Sequence, residues 1–354
     1  MASPPPQKTT PWGAVIYTLE GSIQQFFHTF GGPAGATQPA CDAQAAALAG
    51  GGAGPVTPVP IQGQSSYTVV AGPPGQARIV QFRAARSKLD MAIVELAAAV
   101  HPDFVPWCRY HGPIGDAASS TPLHVYVIEK REGLCSFECR DSSVKGAPAF
   151  AARQFQTVRD FARQVSLPTP RMQVAPAAAE KMRQDLDGDL ARLAQALPAR
   201  FQATVQQART GLPAVFALLP FALTHGDLYE GNILVDKADG RITGIIDWAE
   251  AEVAPFGLAL WGLESVLGYS DREGWHPHGN AGPLRDEFWR VFEAEAGGTA
   301  AALSEEVGRA IRVARMAGML LIWCFKWDED GGRRKVRGTD VALRHADTFC
   351  TGGI

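Results

Sequence analysis

The sequence predicts an α+β, bilobal protein with a small β-rich N-lobe and a larger, mostly helical C-lobe. Three observations predict this class. β-branched residues flank a Pro-Gly turn near residue 73, apolar residues recur at helical spacing from about residue 150, and a polar cluster interrupts strand-like runs over residues 225–247. We expect an N-terminal extension over residues 1–54, partly helical and rich in Gly and Pro, then a sheet plus one helix over 55–130. Residues 131–354 form the helical C-lobe.

Length, charge and cysteine usage limit the class of protein. The 354 residues allow a sizeable core, and 33 basic against 36 acidic residues leave a net charge of -3. No excess of positive charge indicates a nucleic-acid or membrane partner. Of six cysteines only Cys135 and Cys139 are close, without a second ligand pair, so free thiols are favoured over zinc. Without a signal-like start or a spanning apolar run, we expect a cytoplasmic protein of unknown oligomeric state.

The N-terminal part contains the β-rich elements. An amphipathic helix is expected over Thr18 to Phe30, followed by a loosely packed Gly-, Ala- and Pro-rich stretch as far as Pro55. QGQSSYTVVAG and RIVQFR then form an antiparallel hairpin around the turn PPGQ. SKLDMAIVELAAAV follows as a helix with a capping-box-like start at Ser87 and Asp90, and PLHVYVIEKREG as a strand.

Helical periodicity dominates the remainder of the chain. The predicted helices are FAARQFQTVRDFARQV, AAAEKMRQDLDGDLARLAQAL, RFQATVQQA, LRDEFWRVFEAEA and LSEEVGRAIRVARMAGMLLIWCF.

The polar cluster has the spacing of a phosphotransfer site. His225-Gly226-Asp227 precedes Asn232 by five residues, as in the catalytic loop of the kinase superfamily. ILVD, DKADG and RITGIID then predict a hairpin whose second strand ends just before Asp247. Phosphoryl transfer needs a group that positions the acceptor hydroxyl and oxygen ligands for Mg²⁺. Asp227 is the catalytic candidate, Asn232 and Asp247 are the metal candidates, and His225 braces the loop.

These residues resemble the aminoglycoside phosphotransferase and choline kinase family of the protein-kinase-like fold. THGDLYEGNILVD and GIIDWAEAEVAPFGLALWGLE look most like its fungal phosphotransferase-family subgroup, and the resemblance covers roughly Pro58 to Leu267. It implies an ATP- and Mg²⁺-dependent phosphotransferase that acts on a hydroxyl of a small molecule. The N-lobe then covers the nucleotide, and the C-lobe holds the catalytic loop and the acceptor site.

The nucleotide-binding residues that the resemblance implies match the family pattern less closely. A Lys is expected in the strand RIVQFR, but only Gln81 and Arg83 share the relevant face. Arg83 is the candidate phosphate contact, with Glu95 as its partner, although an Arg differs from a Lys in geometry. The remaining candidates are the loop residues Gln62, Gly63, Gln64, Ser65 and Ser66, and the hinge from Val127 to Glu129, whose backbone meets adenine.

Two other functions remain open. The missing Lys and the poor glycine loop suit a pseudokinase that only binds, whereas the complete Asp, Asn and Asp set argues for catalysis. The fold could also phosphorylate a secondary metabolite transiently and so drive elimination or cyclisation. Arg153 and its neighbours make the acceptor-binding segments unsuited to a polycationic aminoglycoside.

For several other charged or titratable residues, a structural role is the main expectation and a functional role the alternative. Glu230, Glu250 and Glu252 are mainly expected as solvated loop charges, with contact to substrate or metal as the alternative. His276 and His278 are expected at the surface rather than on zinc. The loop from Gly331 to Gly338 is expected to be solvated, with binding of an anionic substrate as the alternative.

Overall fold

A computed structural model describes most of the chain. The described residues are 8–9, 15–16, 18–31, 36–51, 54–115, 122–139, 148–166, 173–270, 274–295, 304–327, 333–335 and 343–351. The first seven residues and most of the loop from Gly331 to Gly338 therefore lie outside them. The chain divides into two compact units, Met1–Glu132 and Gly133–Ile354.

The first unit is built on a five-stranded antiparallel sheet. The strands of the unit are β1 (Lys8–Thr9), β2 (Val15–Ile16), β3 (Val56–Pro58), β4 (Ser66–Ala71), β5 (Arg78–Ala84), β6 (Cys108–Ile114) and β7 (Leu123–Glu129). The sheet has the order β3-β4-β5-β7-β6, whereas β1 pairs with β2 separately. Its helices are α1 (Leu19–Phe30), α2 (Gln38–Leu48) and α3 (Met91–Val100). The predicted helix at the N-terminus is confirmed, with Thr18 as its N-cap.

The predicted hairpin is also confirmed. β4 pairs with β5 from Ser66 opposite Arg83 to Ala71 opposite Arg78, and the amide of Gln76 closes the turn on the carbonyl of Pro73. Alternate residues of these strands point to one face and are buried against α1 and α2. The opposite face carries the polar residues at positions 66, 68, 81 and 83.

Two expectations for this unit are wrong. The stretch before Pro55 was expected to pack loosely, but it contains α2, in which Cys41 and Ala45 are fully buried. Its many alanines favour the helix, and Thr37 caps it. Ser87 does not cap α3 either, because the Asp90 carboxylate accepts the amide hydrogen bonds of the first turn.

The second unit is mostly helical. Its helices are α4 (Pro148–Ser166), α5 (Pro176–Ala196), α6 (Gln202–Leu218), α7 (Trp261–Leu267), α8 (Ala281–Glu295), α9 (Glu305–Cys324) and α10 (Leu343–Cys350). Its strands are β8 (Leu134–Cys135), β9 (Phe221–Thr224), β10 (Ile233–Val235), β11 (Ile242–Ile245), β12 (Glu252–Pro255), β13 (Gly268–Ser270), β14 (Trp275–Pro277), β15 (Phe325–Trp327) and β16 (Arg333–Lys335). The five predicted helices are confirmed, and α6 continues as far as Leu218.

Several helices of the second unit share an apolar core. Side chains of α5, α6 and α9 meet there, including Leu193, Val205, Leu212 and Leu320, each at most 1 % exposed. Burial of such side chains contributes about 1.5 to 3 kcal/mol each. Together with the first unit's sheet, this confirms the predicted α+β class. No helix of the described residues has the length and apolar character that a bilayer crossing needs.

Candidate active site

The predicted hairpin positions Asn232 and Asp247. β10 pairs antiparallel with β11, with Ile233 opposite Ile245, so Asn232 lies just before one strand and Asp247 two residues after the other. The amide of Ile246 extends the ladder by donating to the carbonyl oxygen of Asn232 at 2.9 Å. Because Ile233 and Ile245 are fully buried, the two polar residues are attached to a fixed apolar base.

His225 connects the catalytic loop to this hairpin. Its Nε2 atom lies 2.9 Å from the carbonyl oxygen of Ile246, and its Nδ1 atom lies 3.3 Å from the amide nitrogen of Asp227. A carbonyl oxygen only accepts and an amide only donates, so the neutral tautomer with its proton on Nε2 satisfies both contacts. Burial lowers the pKa of His225 to about 4, which favours that neutral form. The ring therefore braces the loop, as the sequence indicated.

Asp227 is held by Asn232. The Asn232 side-chain nitrogen donates to the backbone oxygen of Asp227 at 2.8 Å and to its Oδ2 atom at 3.2 Å. Burial, together with the charges of Asp247 and Glu250, raises the pKa of Asp227 to about 6, although the hydrogen bond from Asn232 opposes the change. The site thus contains negative charge that the described protein groups only partly offset.

Asp247 adopts a conformation that side chains rarely take. Its φ of 60° and ψ of 64° are left-handed, and among the described residues it is the only non-glycine with positive φ. Such a conformation costs about 1 to 3 kcal/mol and persists only where the surroundings enforce it. It lies where β11 ends and the turn Trp248–Glu250 begins.

A glycine allows the two halves of the site to approach each other. Gly226 has φ of 75°, and a Cβ atom built on it would lie 2.0 Å from the carbonyl oxygen of Glu250. The adjoining strands β9 and β12 pair in antiparallel register, with Thr224 opposite Glu252. Only glycine tolerates both the positive φ and the close approach of the Glu250 carbonyl oxygen at position 226.

The donor set fits a divalent cation. Asn232 uses its side-chain nitrogen to hold Asp227, and in the described chain its Oδ1 atom accepts no hydrogen bond. Asp247 supplies a carboxylate close enough to Asp227 to raise the pKa of the latter. Carboxylate and amide oxygens are the ligands that Mg²⁺ prefers, and a cation would offset the repulsion between the two carboxylates.

The predicted nucleotide loop of the first unit forms a tight turn. The Gln62 side-chain nitrogen donates to the carbonyl oxygens of Val59 and Thr68, and its Oε1 atom accepts from the Thr68 amide. The Gln62 side chain therefore connects the end of β3 to β4, the two strands that flank this loop. A Cβ atom on Gly63 would lie 2.8 Å from the Ser66 hydroxyl. Gln64 is exposed, Ser66 is buried, and the Ser65 carbonyl oxygen accepts from the Ala84 amide.

Arg83 and Gln81 lie side by side on β5. Arg83 is 7 % exposed, its Nε atom donates to the Ser87 carbonyl oxygen at 2.7 Å, and its Nη1 atom donates to Gln81 Oε1 at 3.1 Å. Burial raises the pKa of Cys108 to about 12, an effect that Arg83 opposes and Glu95 reinforces. Arg83 and Glu95 therefore both act on that thiol.

The predicted hinge residues are part of the sheet. Val127 lies opposite Val80 on one side and Arg109 on the other, so it is inside the sheet rather than at a free strand end. The Glu129 carboxylate accepts from the Trp107 amide at 3.3 Å and pairs with Arg131.

Further charged residues surround the loop. Glu250 acts on the Asp227 carboxylate, whereas Glu230 lines a crevice with Arg153 and His278. His276 and His278 pack against the Tyr269 ring. Within the part of the chain that the structure describes, no group of three metal-ligating side chains surrounds them.

Sequence reasoning missed Tyr229. It lies inside the catalytic loop and is 43 % exposed, and burial together with Asp227 and Asp247 raises its pKa. Its place in the loop, two residues after Asp227, is visible in the sequence, but the position of its hydroxyl is not.

Comparison with known proteins shows the family. The chain matches the sequence model of the phosphotransferase enzyme family over residues 60–292, and it belongs to that family. The predicted family resemblance is thereby confirmed. No curated protein matches the chain.

Similar solved structures are those of small-molecule phosphotransferases. A macrolide 2'-phosphotransferase type I is 17 % identical, with 81 % of this chain and 92 % of that chain covered and a TM-score of 0.46. An aminoglycoside-3'-phosphotransferase of type VIII is 18 % identical, with 78 % and 97 % covered and a TM-score of 0.45. A choline kinase from Cryptosporidium parvum Iowa II is 11 % identical, with 76 % and 81 % covered and a TM-score of 0.42.

Proposed function

We propose that this phosphotransferase uses ATP and Mg²⁺ to phosphorylate a hydroxyl of a small molecule. The observation that carries the proposal is the Asp227 carboxylate, buried, raised in pKa to about 6 and held by Asn232 beside Asp247. A carboxylate so placed can accept a hydrogen bond from an acceptor hydroxyl and then its proton. Because its pKa is raised, Asp227 is a stronger base than an exposed aspartate and accepts the hydroxyl proton more readily.

Each residue of the site has one role in this reaction. Asp227 orients the acceptor hydroxyl and takes its proton as the new P–O bond forms. Asn232 and Asp247 hold Mg²⁺, which when bound offsets the charge of the nucleotide phosphates. His225 keeps the loop and the hairpin in register through its contacts with Asp227 and Ile246.

The first unit supplies the nucleotide contacts in this proposal. Arg83, with Gln81 and Glu95 as its neighbours, takes the place of the usual Lys on the phosphates. The turn from Gln62 to Ser66 contributes backbone amides rather than the Gln62 side chain, which is used within the hairpin. The strand end beyond Val127 and Glu129 receives adenine.

The acceptor is a small molecule in the cytoplasm, without a role for nucleic acid or membrane. Aminoglycosides, a macrolide and choline are named for the similar structures. In the sequence, the arginines of the acceptor-binding segments count against a polycationic acceptor, although Arg159 and Arg163 are paired with acidic side chains in the structure.

Isothermal titration tests the proposal. ATP should bind wild-type protein in a Mg²⁺-dependent manner, and Asp247→Ala should lose that dependence because it removes a metal ligand. With an acceptor from a screen of hydroxyl compounds, Asp227→Ala should remove turnover and keep nucleotide binding. Wild-type rates in Asp227→Ala would falsify the proposed role of Asp227.

A second candidate is a binding protein without phosphotransfer activity. The observation that favours it is Arg83, which is buried in a Lys position and bonded to Ser87 and Gln81. Absence of any ATP binding by wild-type protein selects this candidate. A third candidate, transient phosphorylation that drives elimination or cyclisation, is selected by a product that lacks the phosphate while ADP is released.

A further inference from the structure

Tyr229 occupies a fixed position at the middle of the catalytic loop. Its amide donates to the backbone oxygen of Asp227 at 3.1 Å, and its carbonyl oxygen accepts from the amide of Asn232 at 2.9 Å. These two hydrogen bonds fix the backbone of Tyr229 relative to Asp227 and Asn232.

The Tyr229 ring packs over Gly231. A Cβ atom built on Gly231 would lie 2.4 Å from the ring's Cε2 atom and 2.6 Å from its hydroxyl oxygen. No side chain larger than hydrogen fits there without moving the ring. One side of the ring thus contacts the loop, while the residue remains 43 % exposed overall.

Among the residues that the structure describes, no group accepts a hydrogen bond from the Tyr229 hydroxyl. The carboxylates of Asp227 and Asp247 both influence this hydroxyl, yet within the described residues neither accepts a hydrogen bond from it. A phenol beside two negative charges keeps its proton and acts as a donor. Since the backbone bonds and the contact with Gly231 hold the ring beside the catalytic loop, this unused donor is available to an acceptor atom of a bound ligand.

The proposed function supplies that atom, and the inference rests on it. In that proposal Asp227 would hold the acceptor hydroxyl and Asp247 would help to hold the cation that offsets the phosphate charge, so the phosphoryl group in transfer would lie near both carboxylates. Its non-bridging oxygens accept hydrogen bonds. We propose that Tyr229 is a further catalytic residue, whose hydroxyl donates a hydrogen bond to a non-bridging oxygen of the phosphoryl group in transfer. The proton stays on the phenol throughout.

Titration with ADP, Mg²⁺ and aluminium fluoride tests the proposal without knowledge of the acceptor. The fluoride complex mimics the phosphoryl group in transfer, and the affinity gained on its addition measures the contacts made to that group. Tyr229→Phe should bind ADP and Mg²⁺ as wild type does, but should lose about 10-fold or more of the fluoride-dependent gain. Tyr269→Phe, a matched change in β13, should lose none. Thermal unfolding should give similar midpoints for all three proteins.

Each outcome decides between the two proposals. A fluoride-dependent gain in Tyr229→Phe equal to that of wild type overturns the role of the hydroxyl and leaves the proposed function intact. If Tyr229→Ala loses the gain while Tyr229→Phe keeps it, the role of the hydroxyl is also overturned, because the aromatic ring alone then accounts for the effect. Wild type that binds ADP with Mg²⁺ but gains nothing from fluoride also overturns it. Wild type that does not bind ADP at all overturns the proposed function itself.

Discussion

The Nε2 atom of His225 lies 2.9 Å from the carbonyl oxygen of Ile246, which places one imidazole between the loop that carries Asp227 and the strand end that carries Asp247. The other ring nitrogen accepts from the Asp227 amide, so a single side chain aligns the catalytic candidate and a metal candidate. Burial keeps the ring neutral, and the alignment therefore persists over the physiological pH range.

His225→Gln should weaken Mg²⁺-dependent ATP binding about 10- to 100-fold, because loss of a residue that orients metal ligands typically has that effect. A glutamine side chain cannot satisfy both the Asp227 amide and the Ile246 carbonyl with the imidazole geometry. The measurement is ATP affinity at several Mg²⁺ concentrations. His28→Gln, at an exposed position of α1, should bind as wild type does. Unchanged Mg²⁺ dependence in His225→Gln would contradict the aligning role.

Asp227→Asn should make the protein more stable at pH 7. The folded-state pKa of Asp227 is about 6, whereas the ordinary value is 3.8. Between these values the folded state binds more protons, so this group lowers stability as pH rises and its full cost is present above pH 6. The neutral amide removes a cost of about 2 kcal/mol. Urea unfolding should show the gain at pH 7 and its loss below about pH 4.

The comparison must be made between variant and wild type at each pH. His225, with its pKa lowered to about 4 from an ordinary 6.5, has the opposite effect, since its stabilising contribution falls as pH decreases through this range. The two effects largely cancel in the wild-type curve, and the difference curve isolates Asp227. Asp103→Asn, at an exposed position, should differ from wild type by less than about 0.5 kcal/mol throughout. A difference curve for Asp227→Asn that does not change with pH would show that the pKa of Asp227 is not raised in the folded state.

The site could be predicted from the sequence where its geometry is local. Only four residues separate Asp227 from Asn232, and a short hairpin carries the chain to Asp247, so residue spacing alone determines their proximity. The Tyr229 hydroxyl was missed because its position depends on one rotamer and on the absence of a side chain at Gly231. Spacing does not encode either property.

The fold, too, could be predicted from the sequence only where its structure depends on local sequence patterns. Strand alternation predicted the β4–β5 hairpin, since one face of each strand is buried. Helix α2 was missed because an Ala-rich stretch among glycines and prolines carries a weak amphipathic signal. Its place in the core comes from contacts distant in sequence, such as the 2.7 Å hydrogen bond from the Tyr67 hydroxyl to Asp42.

Gly226→Ala should destabilise the second unit and abolish Mg²⁺-dependent ATP binding. The new Cβ atom would lie 2.0 Å from the Glu250 carbonyl oxygen, and a φ of 75° is itself unfavourable for alanine. We expect a loss of more than about 2 kcal/mol in the free energy of unfolding. Gly188→Ala is the matched control, because a Cβ atom there meets nothing within 4 Å. It lies inside α5 and should stabilise by about 0.5 to 1 kcal/mol. Equal effects of the two substitutions would refute the packing argument.

The last prediction concerns α7, which supports the catalytic loop. Gly262 of α7 lies so close to the loop that a Cβ atom would be 2.4 Å from the Leu228 carbonyl oxygen. Two residues later Glu264, 3 % exposed, forms a two-bond pair with Arg285 of α8, at 2.5 and 2.8 Å, and also pairs with Arg315 of α9. One carboxylate thus connects α7 to two neighbouring helices.

Glu264→Gln should therefore lower the free energy of unfolding by about 3 kcal/mol, the lower end of the range for a buried pair, because it leaves two partly buried guanidinium groups without their carboxylate. Urea unfolding followed by far-UV circular dichroism measures the loss. Glu305→Gln removes an exposed carboxylate that pairs with Arg309 at the start of α9, and should cost less than about 1 kcal/mol. If α7 positions the loop, Glu264→Gln should also weaken ATP binding in Mg²⁺ at temperatures where the variant is still folded, whereas Glu305→Gln should not. A destabilised variant with unchanged ATP affinity would show that Glu264 stabilises the helices without positioning the loop.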